Sequence, residues 1–200
     1  MNDTIIKTVM TIPNVCSYFD IPVQHVSESV LKRMVRAYTP DELYMLFDRI
    51  RSIDPDAVLR TTLIVGFPGE TSKDFEQLLA FVKNIRFDHL GAFIYSDSAD
   101  LPSHKLSGHV PEKIARERYN RLMSVQAEVS FENNRRYVGK TFTVIVEESV
   151  SDNLFIGRTS FQAPEVDGIT YIHSEQMQTG NFARVKVIDA LEYDLVGKAA

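Results

Sequence analysis

Leu63-Ile64-Val65 runs without a polar interruption into Gly66-Phe67-Pro68-Gly69-Glu70-Thr71, and this junction narrows the possible folds more than any other stretch. A strand covered on one face alternates apolar and polar residues. A continuous apolar run points to a strand covered on both faces, as in parallel sheets. The flanking pattern agrees. Tyr18-Phe19-Asp20-Ile21-Pro22-Val23 is a short strand candidate. Ser27 or Ser29 can cap a helix with Val30, Leu31, Met34 and Val35 inward and Lys32, Arg33 and Arg36 outward. Thr39-Pro40-Asp41-Glu42 forms a capping box with proline at the first helical position, and Leu43, Leu46, Phe47 and Ile50 follow at helical spacing. Residues 57–65 form the next strand. Thr71 caps a helix with Phe75, Leu78, Leu79 and Val82 inward, and residues 89–95 form a third strand. Such alternation implies parallel strands joined by right-handed crossovers. Three strands alone leave unpaired edges and bare apolar faces. The segment is therefore either a small open sheet or the latter part of a larger α/β barrel.

The second half changes character. Residues 96–108 read as a loop, and Pro111 opens a helix to about residue 136 with Ile114, Leu122, Met123 and Val129 on one side. At about 1.5 Å per residue that helix spans about 35–40 Å, enough to connect two domains. Short strands are then predicted over 140–147, 154–160, 168–172, 182–188 and 190–197, separated by turn residues such as Asp152-Asn153 and Thr179-Gly180-Asn181. Five short antiparallel strands in about sixty residues suggest a small closed barrel. The expected organisation is α/β plus all-β: residues 1–110, a connecting helix over 111–136, and a barrel over 137–200.

Composition narrows the function. With 44% hydrophobic and 24% charged residues the chain reads as globular, and no apolar stretch approaches the roughly 20 residues needed to cross a bilayer. The start carries no basic or apolar leader pattern, so a cytoplasmic protein is expected. The net charge is −5. Residues 137–200 hold five bases (Lys140, Arg158, Arg184, Lys186, Lys198) against nine acids (Glu147, Glu148, Asp152, Glu165, Asp167, Glu175, Asp189, Glu192, Asp194), so −4 of that charge lies there. That balance suits a phosphate backbone poorly. Cys16 stands alone, which excludes an internal disulfide and an all-cysteine metal site, and a buried or idle thiol is expected.

The glycine stretch after residue 65 lacks the lysine of a phosphate-binding loop, and Glu70 would repel phosphate. Gly66 and Gly69 serve either the turn around Pro68 or a ligand's close approach at a strand's C-terminal end. Gln24, His25 and Ser27 follow a second strand and fall at the same rim. Arg60 must pair with an acid such as Asp20 or reach an anionic group of a ligand. His89, His104, His109 and His173 show no metal-ligand spacing and read as surface residues. Ala163-Pro164-Glu165-Val166-Asp167-Gly168 is either a hairpin connection or a contact for a basic partner.

Asp20-Ile21-Pro22-Val23-Gln24-His25, Leu31-Lys32-Arg33-Met34, Arg60-Thr61-Thr62 and Ile64 to Thr71 together resemble the radical S-adenosylmethionine methylthiotransferases. Gly91-Ala92-Phe93-Ile94-Tyr95-Ser96 and Arg121-Leu122-Met123 with Gln126 and Ser130 extend the resemblance, and the terminal segment looks like their TRAM domain, an OB-like β-barrel. Residues 163–168 and Glu192-Tyr193-Asp194-Leu195-Val196-Gly197 look like the RimO-type branch, which methylthiolates an aspartate of small-subunit ribosomal protein twelve. The resemblance implies the C-terminal part of a TIM-like barrel, with S-adenosylmethionine lying near Gln24, His25, Ser27, Arg60, Gly66 and Phe67. It implies substrate contacts at Glu165, Asp167, Glu192, Tyr193 and Asp194. The family's 4Fe–4S clusters need several cysteine thiolates, and Cys16 is the single cysteine, so the chain is expected to ligate none and to be inactive alone. A missing N-terminal portion of the enzyme and a basic ribosomal protein are the partners implied; tRNA is disfavoured by charge. A stand-alone adaptor whose half-barrel dimerises, and a piece of a tRNA-modifying enzyme, are the alternatives. Asp97-Ser98-Ala99-Asp100 departs from the family's pattern in the loop that closes the site.

Overall fold

The computed structural model describes residues 2–200. The chain forms two compact units that divide between Gln126 and Ala127. In the first, α1 (Asp3–Thr11) precedes β1 (Tyr18–Asp20), α2 (Glu28–Arg33), α3 (Pro40–Ile53), β2 (Val58–Val65), α4 (Ser72–Ile85) and β3 (His89–Ile94). The sheet order is β1-β2-β3, and both pairings are parallel. β1 is shorter than the sequence pattern suggests, because Pro22 offers no N–H to the ladder; an isolated bridge between Gln24 and Leu63 resumes the pairing. Asn2 caps α1, a helix that the sequence reading did not foresee.

Local chemistry explains the helix starts. Thr39 with Glu42 and Thr71 with Asp74 each form a reciprocal capping box, so the orphan N–H groups of α3 and α4 are met by their own side chains. Leu43, Phe47 and Ile50 of α3 and Phe75, Leu78, Leu79 and Val82 of α4 are buried together with Phe19, Leu59, Leu63 and Val65 of the sheet. Phe47 meets Phe87 edge-to-face at 4.9 Å between centroids, and Tyr44 meets Phe81 in the same way at 5.0 Å. Leu59, Thr61, Leu63 and Val65 face this core. Arg60, Thr62 and Ile64 occupy the opposite, more open face with Gly91 and Phe93, which is 61% exposed. One sheet face is therefore packed and the other is half bare.

Two inward assignments fail. α2 stops at Arg33, and Val35 adopts a left-handed backbone (φ 56°) that leaves it 90% exposed. On α5 (Glu112–Arg135) Ile114 is exposed, whereas Ala115, Arg118, Leu122 and Gln126 form the buried stripe of the first unit. Polarity misleads there because Arg118 and Gln126 are buried with hydrogen-bond partners.

The second unit carries β4 (Thr141–Ser151), β5 (Leu154–Thr159), β6 (Thr170–His173), β7 (Phe182–Ala190) and β8 (Leu195–Ala199), closed as a barrel in the order β4-β5-β6-β8-β7. Four pairings are antiparallel, while β6 and β8 run parallel. The last strand begins five residues later than its sequence pattern indicates, because Ala190 still belongs to β7 and residues 191–194 form a turn. Val144, Val146, Phe155, Ile172 and Val185 fill the interior. Bulges in β4 and β7 supply the bending that closure requires. Among the described residues no helix is long and apolar enough to cross a membrane.

Candidate functional site

In parallel α/β structures ligands gather at the C-terminal ends of the strands. Here that rim is built from the turns after β1 and β2. Gly66 begins the second turn in a left-handed conformation (φ 78°), and a Cβ there would stand 2.6 Å from that of Ala115. The Glu70 carboxylate folds back beneath the turn and accepts from the N–H of Gly66 at 2.5 Å and of Phe67 at 3.3 Å. Arg118 pairs with the same carboxylate at 3.0 Å and donates to the Glu70 carbonyl at 3.1 Å, all of it buried. Burial pushes the Glu70 carboxyl above the usual carboxylate range, although Arg118 and the two N–H donors pull the other way. The question of a phosphate cradle is thereby answered: an internal carboxylate already holds the N–H groups that a phosphate would need.

The first turn is held as firmly. Gln24 sits at φ 65° with its backbone bridged to Thr62 and Ile64, and its side chain reaches the rim half-exposed. His25 is wholly buried. Its Nδ1 accepts from the Ser27 N–H at 3.0 Å, which leaves Nε2 as the protonated nitrogen, without a hydrogen-bond partner among the described residues. Burial lowers its pKa to about 4, opposed by Asp74 and reinforced by Arg118, so the ring is neutral near pH 7. The Ser27 hydroxyl donates to Asp74, joined there by Ser29 at 2.7 Å and Thr71 at 2.5 Å. Burial alone would raise Asp74, but the hydroxyl donors of Ser27, Thr71 and Ser29 outweigh it and hold the carboxyl far below the usual range. Ser27 therefore acts on the rim through the loop that it anchors.

Arg60 pairs with Asp20 at 3.0 Å across neighbouring strands, the pairing that sequence reasoning offered as one of two choices. Phe67 is buried at the rim with its ring edge-on to Tyr95 at 5.0 Å. Beyond β3, the Tyr95 hydroxyl and His104 both bond Asp97, at 3.1 and 2.9 Å, and order the loop whose sequence departs from the family pattern. Cys16 is exposed, not buried, and among the described residues no three His, Cys, Asp or Glu side chains lie where they could hold a metal ion. This chain's own donors do not fit an iron–sulfur cluster. The rim carries the half-exposed Gln24 amide beside the buried ring of Phe67.

In the second unit the two loops chosen from sequence lie side by side. The Ile169 N–H donates to the Asp194 carboxylate at 2.8 Å, and the Ala163 N–H to Asp167 at 2.8 Å. Asp167 and Asp194 thus shape the loops, while Glu165, Glu192 and Tyr193 stand exposed. Sequence reading missed the buried hub below them. The Gln162 Oε1 accepts from the Thr159 N–H at 3.0 Å and from the hydroxyls of Thr159 and Thr170 at 3.1 and 2.8 Å.

Comparison with known proteins follows this geometry. Residues 4–82 match the radical SAM superfamily and residues 138–200 match the TRAM domain. A coproporphyrinogen III oxidase (HemN) from Escherichia coli, described as a radical SAM enzyme, shares the fold. Its TM-score is 0.53 at 16% identity, over 64% of this chain and 30% of that one. The class is therefore part of a radical SAM α/β domain followed by a TRAM barrel. More particularly, the chain is similar along its whole length to part of the RimO-type methylthiotransferases. The ribosomal protein uS12 methylthiotransferase RimO of Desulfosudis oleivorans is 50% identical over 200 residues, covering 100% of this chain and 46% of that protein. The RimO of Clostridioides difficile is 44% identical over 98% of this chain and 45% of its own length. The chain spans about half the length of the curated relatives it matches.

Proposed function

We propose that the chain is the rim-and-barrel portion of a cytosolic methylthiotransferase acting on an aspartyl residue of small-subunit ribosomal protein uS12. The observation that carries this reading is similarity that runs through both units, at 50% identity over all 200 residues. In the overall reaction a C–H bond at the aspartyl β-carbon gives way to a C–S bond bearing a methylthio group. S-adenosylmethionine and 4Fe–4S clusters, when bound, supply the radical and sulfur chemistry; the cluster thiolates come from outside these 200 residues. The chain's own work is to shape and to bind. Gln24 and Phe67 would wall the rim that holds the methionine-adenosine, the bare Cα of Gly66 lets the turn pass close to Ala115, and buried His25 and Ser27 set the loop. Arg60, neutralised by Asp20, keeps the open sheet face polar near its base.

The second unit provides the surface for the protein substrate, through Glu165, Glu192 and Tyr193, with Asp167 and Asp194 fixing the loops that carry them. Its acidic balance favours a basic protein over tRNA. Titrating the labelled 200-residue chain with purified uS12 and with tRNA at physiological salt tests the reading. Tighter binding to uS12 is the expected result, and tighter binding to tRNA would overturn the branch assignment.

A further inference from the structure

A cleft of about 430 Å³ opens at the C-terminal end of β2, lined among others by Gln24, Arg33, Val35, Arg36, Ile64 and Phe67. Three features mark it as built. Gln24 is one of only four non-glycine residues with left-handed backbones among the described residues, and it faces this cleft. Val35, also left-handed, owes that backbone to the end of α2, where its N–H donates to the Lys32 carbonyl and that of Arg36 to the Leu31 carbonyl. Gly69 leaves room for Arg33: a Cβ there would lie 2.6 Å from the guanidinium carbon, while Nη1 donates to the Ser107 carbonyl at 3.4 Å. Finally, among the described residues neither Arg33 nor Arg36 has a carboxylate partner, in a chain with five more acids than bases. Two unneutralised guanidinium groups beside an apolar floor of Ile64 and Phe67 ask for an anion carried on a small apolar stem.

We propose that this cleft recognises the carboxylate of the acceptor aspartyl side chain, with Arg33 and Arg36 as its cationic wall and the Gln24 amide as a further donor. The inference rests on the proposed function and names the part of the chain that selects aspartate. A guanidinium matches a carboxylate with two parallel hydrogen bonds, which fixes orientation as well as charge. A carboxylate held in that way leaves the adjacent methylene against the Ile64 end of the open sheet face. An asparagine of the same shape loses the ionic contact and leaves a donor facing donors. Arg33 and Arg36 act in this scheme as specificity-determining residues.

The test uses the whole 200-residue chain, isotope-labelled, and follows backbone amide signals by NMR. It is titrated separately with N-acetyl-aspartate N-methylamide, its asparagine counterpart, S-adenosylmethionine and adenosine monophosphate. Saturable shifts at Gln24, Ile64 and Phe67 with the aspartyl probe, at least ten-fold weaker with the asparaginyl probe, are expected. Arg33→Gln and Arg36→Gln, both at exposed positions, abolish the difference while the remaining spectrum is unchanged. Equal response to the two amino-acid probes, no response to the aspartyl probe, or discrimination that survives both substitutions would overturn the assignment. Binding of uS12 through the barrel is a separate measurement. If it persists while the probes fail to discriminate, the cleft assignment falls and the proposed function stands; if uS12 does not bind, the proposed function falls and the assignment to its acceptor aspartyl falls with it.

Discussion

Replacing Arg118 with methionine removes the cation beneath the Gly66–Glu70 turn while conserving most of its volume. The pair is 3.0 Å apart, with the Glu70 side chain fully buried and that of Arg118 9% exposed. Leaving one buried charge uncompensated costs about 3–5 kcal/mol, against about 0–1 for an exposed pair. Burial already sets the Glu70 pKa above its unfolded value, and loss of Arg118 widens the gap. The folded state then holds the Glu70 proton more tightly than the unfolded state does, so stability falls as pH rises through the window between the two values. The penalty of Arg118→Met is therefore largest near pH 7.5 and shrinks as pH falls toward 5. Adding Glu70→Gln restores more than half, because the amide oxygen still accepts from Gly66 and Phe67 while no charge remains. Urea denaturation followed by circular dichroism at 222 nm measures this, since α1 to α4 all lie in the first unit. A penalty under about 1 kcal/mol at pH 7.5, or one that does not change with pH, would refute the assignment of this pair as the turn's support.

Gly66→Ala introduces a Cβ at φ 78° and 2.6 Å from Ala115, and a loss of about 1–3 kcal/mol is expected in the same assay. Ser27→Ala removes one hydroxyl donor from Asp74 and should cost about 1.5–3 kcal/mol, with the Asp74 carboxyl shifting upward in a carbon-detected NMR titration. His25 should show no titration in proton NMR between pH 5.5 and 8, because its folded value is about 4. Its depressed pKa also means that the unfolded chain binds the proton first, so this residue's contribution to stability is present above about pH 6.5 and is lost as pH falls toward 4. His25→Gln should flatten that part of the acid limb.

Much of the fold was legible because the signals were local. The capping box at Thr39, the cap at Thr71 and the strand at Leu63-Ile64-Val65 each depend on a few neighbouring residues, and each appears where the pattern placed it, although the strand is packed on one face and only half covered on the other. What escaped depends on distant partners. Arg118 and Gln126 look like surface residues on a helix until Glu70 and the Phe87 carbonyl are seen to receive them. Ile114 looks buried for the converse reason. Val35 follows an apolar helical stripe but lies beyond the last turn, where a left-handed residue ends it. The parallel pairing of β6 with β8 could not be read from strand lengths, because closure of the barrel decides it. At the rim, the residues were legible as a group, while their division into ligand-facing (Gln24) and loop-holding (Ser27, His25) positions required the hydrogen bonds.

The proposed function requires the barrel unit to meet a basic protein through its two adjoining loops. Hydrogen exchange of the 200-residue chain, with and without uS12, measures that directly. Slowed exchange confined to residues 163–168 and 191–194 of the second unit is the predicted result. Unchanged exchange there at saturating uS12, or protection of those loops by tRNA instead, would contradict it.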